Sequence, residues 1–391
     1  MVYFNKTKVL TFIGTLSIFL MCLNASTIYS YYFENISNIC LLLAGGLVFF
    51  MLLIDQKIGN IKTLFLSIIW IVAISIPSFF AGFTYSLLFY IFKFYIMFLC
   101  LSILYYNKIS YLNILYKLSK VFMIWALINY FISIFDISFM PITNSYHTWW
   151  GGSYDLHLFV FFKNTQKSFN ILNVNIQRLH SPFSEPGVAQ FFLNYGLFYT
   201  LFYEKTRKNR FFWGMVFSIT VFLTTSLTGI SILLALFLIY MVKEKKYIAF
   251  FFSSLLAIIV LFIFVSQKID SISFDDRISD FNFIFNSAKN NFPFGIGIGN
   301  SKNAGTRIDV VTGEDITGGF FSGLFNPLVF LGLLSFVFYF ILYLAIRYFD
   351  KNKFINLAFA MLILITLLTE PLTFTTLISA FLVHGMINFS Q

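Results

Sequence analysis

Three residues suited to acid–base chemistry and to anion binding lie within eight positions of one another. Arg178, His180 and Glu185 all occur in the stretch RLHSPFSEPG. Arginine offers a permanent charge and paired donors for a phosphate group, whereas histidine and glutamate can accept a proton. Ser184 is a good N-cap and Pro186 is tolerated in a first turn, so we expect a helix to begin here, its N-terminus stabilising the Glu185 carboxylate. The alternative is that Glu185 only caps the helix.

Two long segments between apolar runs, 136–180 and 267–319, hold most of the other polar candidates. Together with one residue inside an apolar run, they supply five further candidate binding residues: His147, His157, Arg277, Arg307 and Lys93. A charge inside an apolar run is costly, so we expect Lys93 to face a polar cavity. Loop histidines and arginines are often only solvated, which is the alternative for the other four.

The sequence indicates neither a metal nor a cofactor. We interpret the acidic run Asp275-Asp276-Asp280 as a solvated helix start, with a bound divalent ion as the alternative. The glycines of FPFGIGIGN lie in a loop rather than between a strand and a helix, which excludes a dinucleotide-binding turn. The three cysteines lie in apolar runs and are expected to be buried thiols, with a Cys22–Cys40 bridge as the alternative.

The composition places these residues in a membrane protein. Of the 391 residues, 59% are hydrophobic and only 11% are charged, against about 25% charged in soluble chains. Mean hydropathy is +0.84, and a soluble enzyme could not bury so much apolar surface. The net charge of +10 is not clustered on one polar domain, so we predict no nucleic-acid partner. The predicted class is an all-α polytopic integral membrane protein.

Twelve apolar stretches approach the length of about 20 residues that a membrane helix needs. They lie near 9–25, 37–54, 61–80, 84–106, 115–135, 184–203, 211–225, 228–242, 247–266, 320–346, 354–370 and 372–388. The first could be a signal peptide, but no clear cleavage site follows it, so we expect a retained helix.

The basic residues set the direction of these spans, because short cytoplasmic segments are rich in lysine and arginine. With the N-terminus inside, 17 of the 26 basic residues fall on the inner side: Lys6, Lys8, Lys57, Lys62, Lys108, Lys117, Lys120, Lys205, Arg207, Lys208, Arg210, Lys243, Lys245, Lys246, Arg347, Lys351 and Lys353. Both termini are then cytoplasmic, and 136–180 and 267–319 are outer loops of a single transmembrane domain, 1–391.

Residues 211–242 test this topology, because they carry no charge and are too few for two full spans. Basic residues flank both ends, so two helices of about 15 residues each satisfy length and charge together. Their turn, 224–229, would stop short of the outer surface, where polar backbone must line a wet cavity or be buried in protein. We expect an outward-facing cavity there. The alternative is one long tilted helix.

Four segments resemble motifs of one family. RLHSPFSEPG resembles the R-x-x-(G/S)-x-F-x-EP-(G/S) signature of the O-antigen polymerase and ligase superfamily, the Wzy/WaaL-type bacterial glycan polymerases. Three more segments are similar to that family in the same order: the helix start in TTSLTGISILLALFLIY, the loop NNFPFGIGIGN and the span GLFNPLVFLGLLS. The resemblance covers residues 130–345. Leu227 departs from the pattern, which has arginine there, so we expect Lys93 or Arg277 to replace that cation.

The resemblance implies a polysaccharide polymerase, most like the Wzy type, at the outer face of the bacterial cytoplasmic (inner) membrane. Glycan would pass from undecaprenyl pyrophosphate to a lipid-linked repeat unit, without a cofactor. Arg178 is then the first candidate for the pyrophosphate clamp, followed by Arg277 and Arg307. Glu185 is the first candidate base, with His180 as its rival. Related ligases use a loop histidine, and besides membrane lipid, a chain-length regulator and a flippase are further candidate partners.

Other functions remain open at this point. A ligase that moves finished glycan onto lipid A core or another acceptor would need the same clamp. A lipid-linked oligosaccharide flippase or other transporter is a different class, which usually shows internal repeats and charges at the midplane. We detect no convincing repeat, and the polar residues crowd the outer side. A scaffolding protein would not need Arg178, His180 and Glu185 so close together.

Overall fold

The computed structural model describes residues 5–24, 27, 33–56, 60–135, 142–147, 153–157, 161–164, 169–171, 174–179, 182–183, 185–269, 272–300, 306–308, 315–317, 322–370 and 372–390. Its helices are α1 (Lys6–Leu23), α2 (Glu34–Ile54), α3 (Ile61–Ala81), α4 (Tyr85–Tyr106), α5 (Tyr111–Ile134), α6 (Pro186–Tyr203), α7 (Arg207–Leu223), α8 (Leu227–Lys243), α9 (Tyr247–Ile269), α10 (Ile272–Asn290), α11 (Asn326–Leu331), α12 (Ser335–Arg347), α13 (Lys353–Thr369) and α14 (Thr376–Phe389). A 3-10 turn, Gly332–Leu334, separates α11 from α12.

Helices long and apolar enough to cross a membrane dominate the described part of the chain. There are seven, with α11 and α12 taken together as one, and three shorter apolar helices accompany them. Several begin at polar caps: the side chains of Asn60, Thr84, Ser226 and Asn352 accept a hydrogen bond from a backbone N–H in the first turn of α3, α4, α8 and α13. The structure therefore confirms a helical membrane protein, and the count of twelve spans stays a prediction.

Short strands lie within the two segments that we predicted as outer loops. They are β1 (Ile142–His147), β2 (Ser153–His157), β3 (Phe161–Asn164), β4 (Phe169–Ile171), β5 (Val174–Ile176), β6 (Thr306–Ile308) and β7 (Asp315–Thr317). Strands β1, β2 and β3 form an antiparallel sheet in that order, and β4–β5 and β6–β7 are two-stranded hairpins. The first part of the second segment is helical, as α10.

The chain forms two compact units. The first is built from the described residues of 1–22, 40–111 and 268–391, and the second from those of 23–39 and 112–267. In the first unit α14 packs against α3, α4 and α12, and in the second α6 packs against both α7 and α8. The described cysteines Cys22, Cys40 and Cys100 are free thiols, so no bridge joins Cys22 to Cys40.

One end of the first unit gathers several helix termini. Lys6 at the start of α1 forms an ion pair with Asp55 after α2, with 3.1 Å between Nζ and Oδ2. Asn107, after α4, donates from Nδ2 to the same Oδ2 at 2.7 Å. At this end Asn60, before α3, also donates to the Ser390 carbonyl after α14, at 3.2 Å. Residues that we predicted on the inner side thus share one end of the unit.

The opposite end of the first unit holds the α3–α4 and α13–α14 turns. Thr84 Oγ1 donates to the Ile298 carbonyl at 2.7 Å, and the Ile298 N–H donates to Ser78 Oγ at 3.1 Å. The Gly323 N–H donates to the Glu370 carbonyl at 3.0 Å. The loop after α10 and the start of α11 therefore lie at the end away from the Lys6–Asp55 pair, as the predicted topology requires.

In the second unit α5 and α6 run antiparallel. The rings of Tyr116 and Tyr199 stack at 4.3 Å between centroids, near the start of α5 and the end of α6. The Lys120 ammonium lies over the Tyr116 and Trp213 rings, 4.1 and 4.2 Å from their centroids. Such cation–π contacts hold a lysine against the bundle. The opposite end of α6, at Pro186, is where the candidate site lies.

Candidate active site

Helices α7 and α8 form the predicted short pair, joined by a turn at residues 224–226. One long tilted helix is therefore wrong. Each helix has 17 residues, which gives about 25 Å. Thr225 reverses the chain with a φ of 48°. Thr224, Thr225 and Ser226 are at most 5% exposed. The polar turn is thus accommodated by burial in protein, and not by the wet cavity that we expected.

The Arg178 side chain reaches this turn. Its Nε donates to Thr225 Oγ1 at 2.9 Å and to the Thr224 carbonyl at 3.4 Å. The N–H of the next residue, Leu179, donates to the Leu223 carbonyl at 2.9 Å. These bonds fix the strand-like segment before α6 across the end of α7. The guanidinium is therefore held at the tip of the helix pair.

At Leu227 the family pattern that the sequence resembles has an arginine in addition to the one that matches Arg178. Leu227 is the first residue of α8 and directly follows the turn that Arg178 contacts. We expected Lys93 or Arg277 to take this part. Lys93 is half-buried in α4, and Arg277 lies in α10, both in the other compact unit. That expectation stays a prediction.

Glu185 is the N-cap of α6, with Pro186 as the first helical residue. We expected Ser184 to be the cap, so the helix begins one residue later than predicted, because Glu185 has extended backbone angles of φ −140° and ψ 150°. The Glu185 side chain makes no capping hydrogen bond. The Glu185 carboxylate therefore does not cap the helix through a hydrogen bond, and its part as a base stays a prediction.

Two helix N-termini converge beside Arg178, because α6 and α8 run in the same direction. A Cβ on Gly229, in the first turn of α8, would lie 2.9 Å from the Cβ of Gln190 in α6. Asn194 Nδ2 donates to the Gly229 carbonyl at 3.1 Å and to Gln190 Oε1 at 2.9 Å. Each N-terminus carries about half a positive charge. Together with Arg178 they outweigh the single negative charge of Glu185.

Gln190 and Asn194 escaped the sequence analysis. Both side chains are fully buried, and among the described residues neither Gln190 Nε2 nor Asn194 Oδ1 has a hydrogen-bond partner. The signal was present, because two amides spaced four residues apart in an apolar run share one face of a helix and are costly in a membrane. Their mutual bond and the Gly229 carbonyl explain how α6 tolerates them.

The segment that carries the site packs beside the middle of α5 and not beside its C-terminal end. Phe183 stacks on Phe192 with 4.7 Å between ring centroids, and lies 5.3 Å from the ring of Phe122. Helix α5 continues to Ile134, a further 12 residues or about 18 Å. An antiparallel bridge between Thr27 and Phe183 holds this segment in place.

The predicted histidines are not brought together by the described residues. His180 lies outside them, so its part as rival base stays a prediction. His147 pairs with Ser153 and His157 pairs with Ile142, at opposite ends of the β1–β2 ladder. Five residues of strand separate these ends, about 16 Å. Their parts as binding residues stay predictions.

The remaining candidates of the second segment lie on regular elements. Arg307 is on β6, opposite Ile316. The acidic run lies inside α10, where Asp280 is only 2% exposed, so our interpretation of a solvated helix start is wrong at that residue. Among the described residues no group of three or more His, Cys, Asp or Glu could hold a metal ion.

In the first unit, two segments that resemble family motifs pack against each other. The loop after α10 donates backbone N–H groups to carbonyls of α11 at 3.0 Å, and the 3-10 turn donates back to the loop at 2.7 Å: Ile296 to Val329, Gly297 to Phe330 and Leu333 to Pro293. The break at Gly332, with a φ of 53°, leaves carbonyls without helical partners. The loop satisfies them, which makes a broken helix tolerable inside a membrane protein.

The described structure thus positions one arginine, one carboxylate and two helix N-termini at the tip of a short helix pair. No family model, curated protein or solved structure matches this chain.

Proposed function

We propose that this protein is a polyprenyl-pyrophosphate-linked glycan polymerase of the cytoplasmic membrane. It would transfer a growing glycan from undecaprenyl pyrophosphate to a lipid-linked repeat unit at the outer face. The proposal begins from the motif resemblance. The observation that carries it is the anchoring of Arg178 at the α7–α8 turn, beside the N-termini of α6 and α8.

This arrangement suits a pyrophosphate leaving group. Helix N-termini and arginine both favour phosphate, the first through backbone N–H groups and the second through paired donors. The acceptor sugar hydroxyl attacks the anomeric carbon, and the bond from that carbon to the pyrophosphate oxygen breaks. The electron pair leaves with the pyrophosphate, which Arg178 stabilises. The hydroxyl proton passes to Glu185, with His180 as the rival acceptor.

The finer topology belongs to the same proposal. Twelve spans, with both termini cytoplasmic, would place 136–180 and 267–319 on the outer side. The clustering of Lys6, Asp55 and Asn107 at one end of the first unit supports this grouping. The short basic segments on that side agree with the positive-inside rule.

Cysteine labelling tests the topology. In a variant without native cysteines, Phe83→Cys is expected to react with a membrane-impermeant maleimide in intact spheroplasts. Lys351→Cys should react only after lysis. Both positions are exposed, so access to the reagent depends on the side of the membrane. The reverse pattern would overturn the orientation.

Deletion of the gene tests the function. We expect the surface polysaccharide on a gel to collapse to a single repeat unit, and a plasmid copy to restore the ladder. A Glu185→Ala copy should not restore it, although its membrane level matches that of the wild type. Complete lipid-linked chains that never reach their acceptor would indicate a ligase instead. An unchanged polysaccharide would refute both.

A transporter is the competing class, and one observation weighs against it. Transport sites lie at broken helices near the midplane between repeated halves. Here the break between α11 and α12 is closed by backbone hydrogen bonds from the loop after α10. If the protein is a polymerase, export of lipid-linked single units should continue in the deletion strain. If it is a transporter, their export should stop.

A further inference from the structure

A groove with a volume of 640 Å³ lies between α10 and the broken helix α11–α12. Its walls are mostly apolar and aromatic, and they include Phe285, Lys289, Phe292, Leu333, Phe336 and Tyr339. Gly332 and Ala288 also line it. Because Ala288 has a small side chain, it leaves space that a larger residue would fill.

The groove opens toward the lipid-facing surface of α12. Leu333, Phe336, Phe340 and Tyr343 follow a spacing of three or four residues and are each 49–60% exposed. Such a stripe on a membrane helix faces acyl chains. Its first two residues also line the groove, so an apolar chain could enter sideways from the bilayer.

The other wall of the groove, helix α10, indicates where the groove lies relative to the membrane surface. Helix α10 is not among the helices apolar enough to span a membrane, and its last turn carries the exposed Lys289. Asn290 and Asn291 follow directly. The groove therefore joins an apolar opening in the bilayer to a cationic and polar end, which is the pattern expected for an amphiphile with an anionic head.

We propose that this groove binds the isoprenoid chain of the lipid carrier, with Lys289 pairing with its phosphate. The inference rests on the proposed function, because that function requires a polyprenyl-linked substrate. Flat aromatic rings at Phe285, Phe292 and Phe336 offer faces for a branched, unsaturated chain. A single lysine supplies the point charge for the phosphate next to the first isoprene unit.

Photo-crosslinking in nanodiscs tests the groove independently of polymerase activity. The probe is a benzophenone-bearing polyprenyl phosphate, titrated by mole fraction in phosphatidylethanolamine and phosphatidylglycerol. We expect crosslinks to map to α10 and α12 by mass spectrometry. Phe336→Ala should raise the half-saturating fraction several-fold, because the packing contacts between the ring and the isoprenoid chain are lost. Phe340→Ala is the matched control, with the same residue type on the same helix outside the groove.

A second arm tests the charge. Lys289→Gln should weaken the phosphate probe several-fold and leave the matching polyprenol alcohol probe unchanged, whereas Phe336→Ala should weaken both. Equal effects of Phe336→Ala and Phe340→Ala would overturn the groove. If phosphatidylglycerol competes with the probe as strongly as undecaprenyl phosphate does, the lipid carrier is not the specific occupant of the groove.

The two proposals can fail separately. If gene deletion leaves the polysaccharide unchanged while the protein in nanodiscs still crosslinks at the groove, the lipid site is supported and the polymerase is refuted. Loss of chain extension in Glu185→Ala without specific crosslinking at the groove would refute the inference alone.

Discussion

Replacing Arg178 with alanine is expected to lower chain extension at least about 100-fold while the protein stays in the membrane at its normal level. Removing one preorganised donor from a developing negative charge typically costs that much in rate. The two hydrogen bonds from Arg178 Nε to the α7–α8 turn contribute about 1–3 kcal/mol together to folding stability. The measurement is the length distribution of surface polysaccharide in the complemented deletion strain.

Two further substitutions separate charge from anchoring. Arg178→Gln can still donate to Thr225 but carries no charge, so it should be nearly as defective as alanine. Arg178→Lys keeps the charge without the paired donors and should retain partial activity. Arg207→Ala is the control, since Arg207 is an exposed arginine at the opposite end of α7. Normal chain length in Arg178→Gln would remove Arg178 from the site.

Gly332→Ala is expected to destabilise the first unit by about 2–6 kcal/mol. A non-glycine residue at a φ of 53° and a ψ of −127° costs about 1–3 kcal/mol, and overpacking adds about 1–3 kcal/mol. The new Cβ would meet the Pro293 carbonyl and lie 2.7 Å from the Gly295 nitrogen. Both contacts are with backbone, so no side chain can move aside. The midpoint of thermal unfolding in detergent measures the effect.

Two other glycines give matched controls for this change. Gly82 has a φ of 103°, yet an added Cβ would meet nothing within 4 Å. Gly82→Ala therefore reports the backbone strain without the clash. Gly46 lies in helix α2 with open space around it, so Gly46→Ala should not lower the midpoint. If Gly332→Ala behaves like Gly82→Ala, the packing of the loop on the helix break is not needed for stability.

Length and charge predicted the short helix pair, because 32 uncharged residues between basic flanks allow few other arrangements. The same reasoning failed at Thr224 and Thr225. Burial in protein and exposure to a wet cavity satisfy polar backbone equally well, and hydropathy does not distinguish them. Arg178 resolves the ambiguity in the structure, since its Nε bonds to both residues.

Contacts between segments that are distant in sequence could not be predicted, because they leave no periodic pattern in the sequence. Hydrogen bonds from the loop at Ile296 to α11 depend on a break at Gly332, and a glycine in an apolar span does not reveal which backbone approaches it. The hairpin strands were equally hidden, since β6 and β7 are three residues each. Gln190 and Asn194 were visible in the sequence, but their common partner, the Gly229 carbonyl, was not.

The contacts that Asp55 makes with Lys6 and Asn107 have a consequence for synthesis at the ribosome. The first unit is interrupted in sequence by residues 112–267 of the second. At about 5–20 residues per second, those 156 residues take roughly 8–30 s to make. During this interval α11 to α14 do not yet exist. Once Asn107 has been synthesised, the three polar side chains can connect α1, α2 and α4. These contacts can hold the early helices together until the later helices of the unit are made.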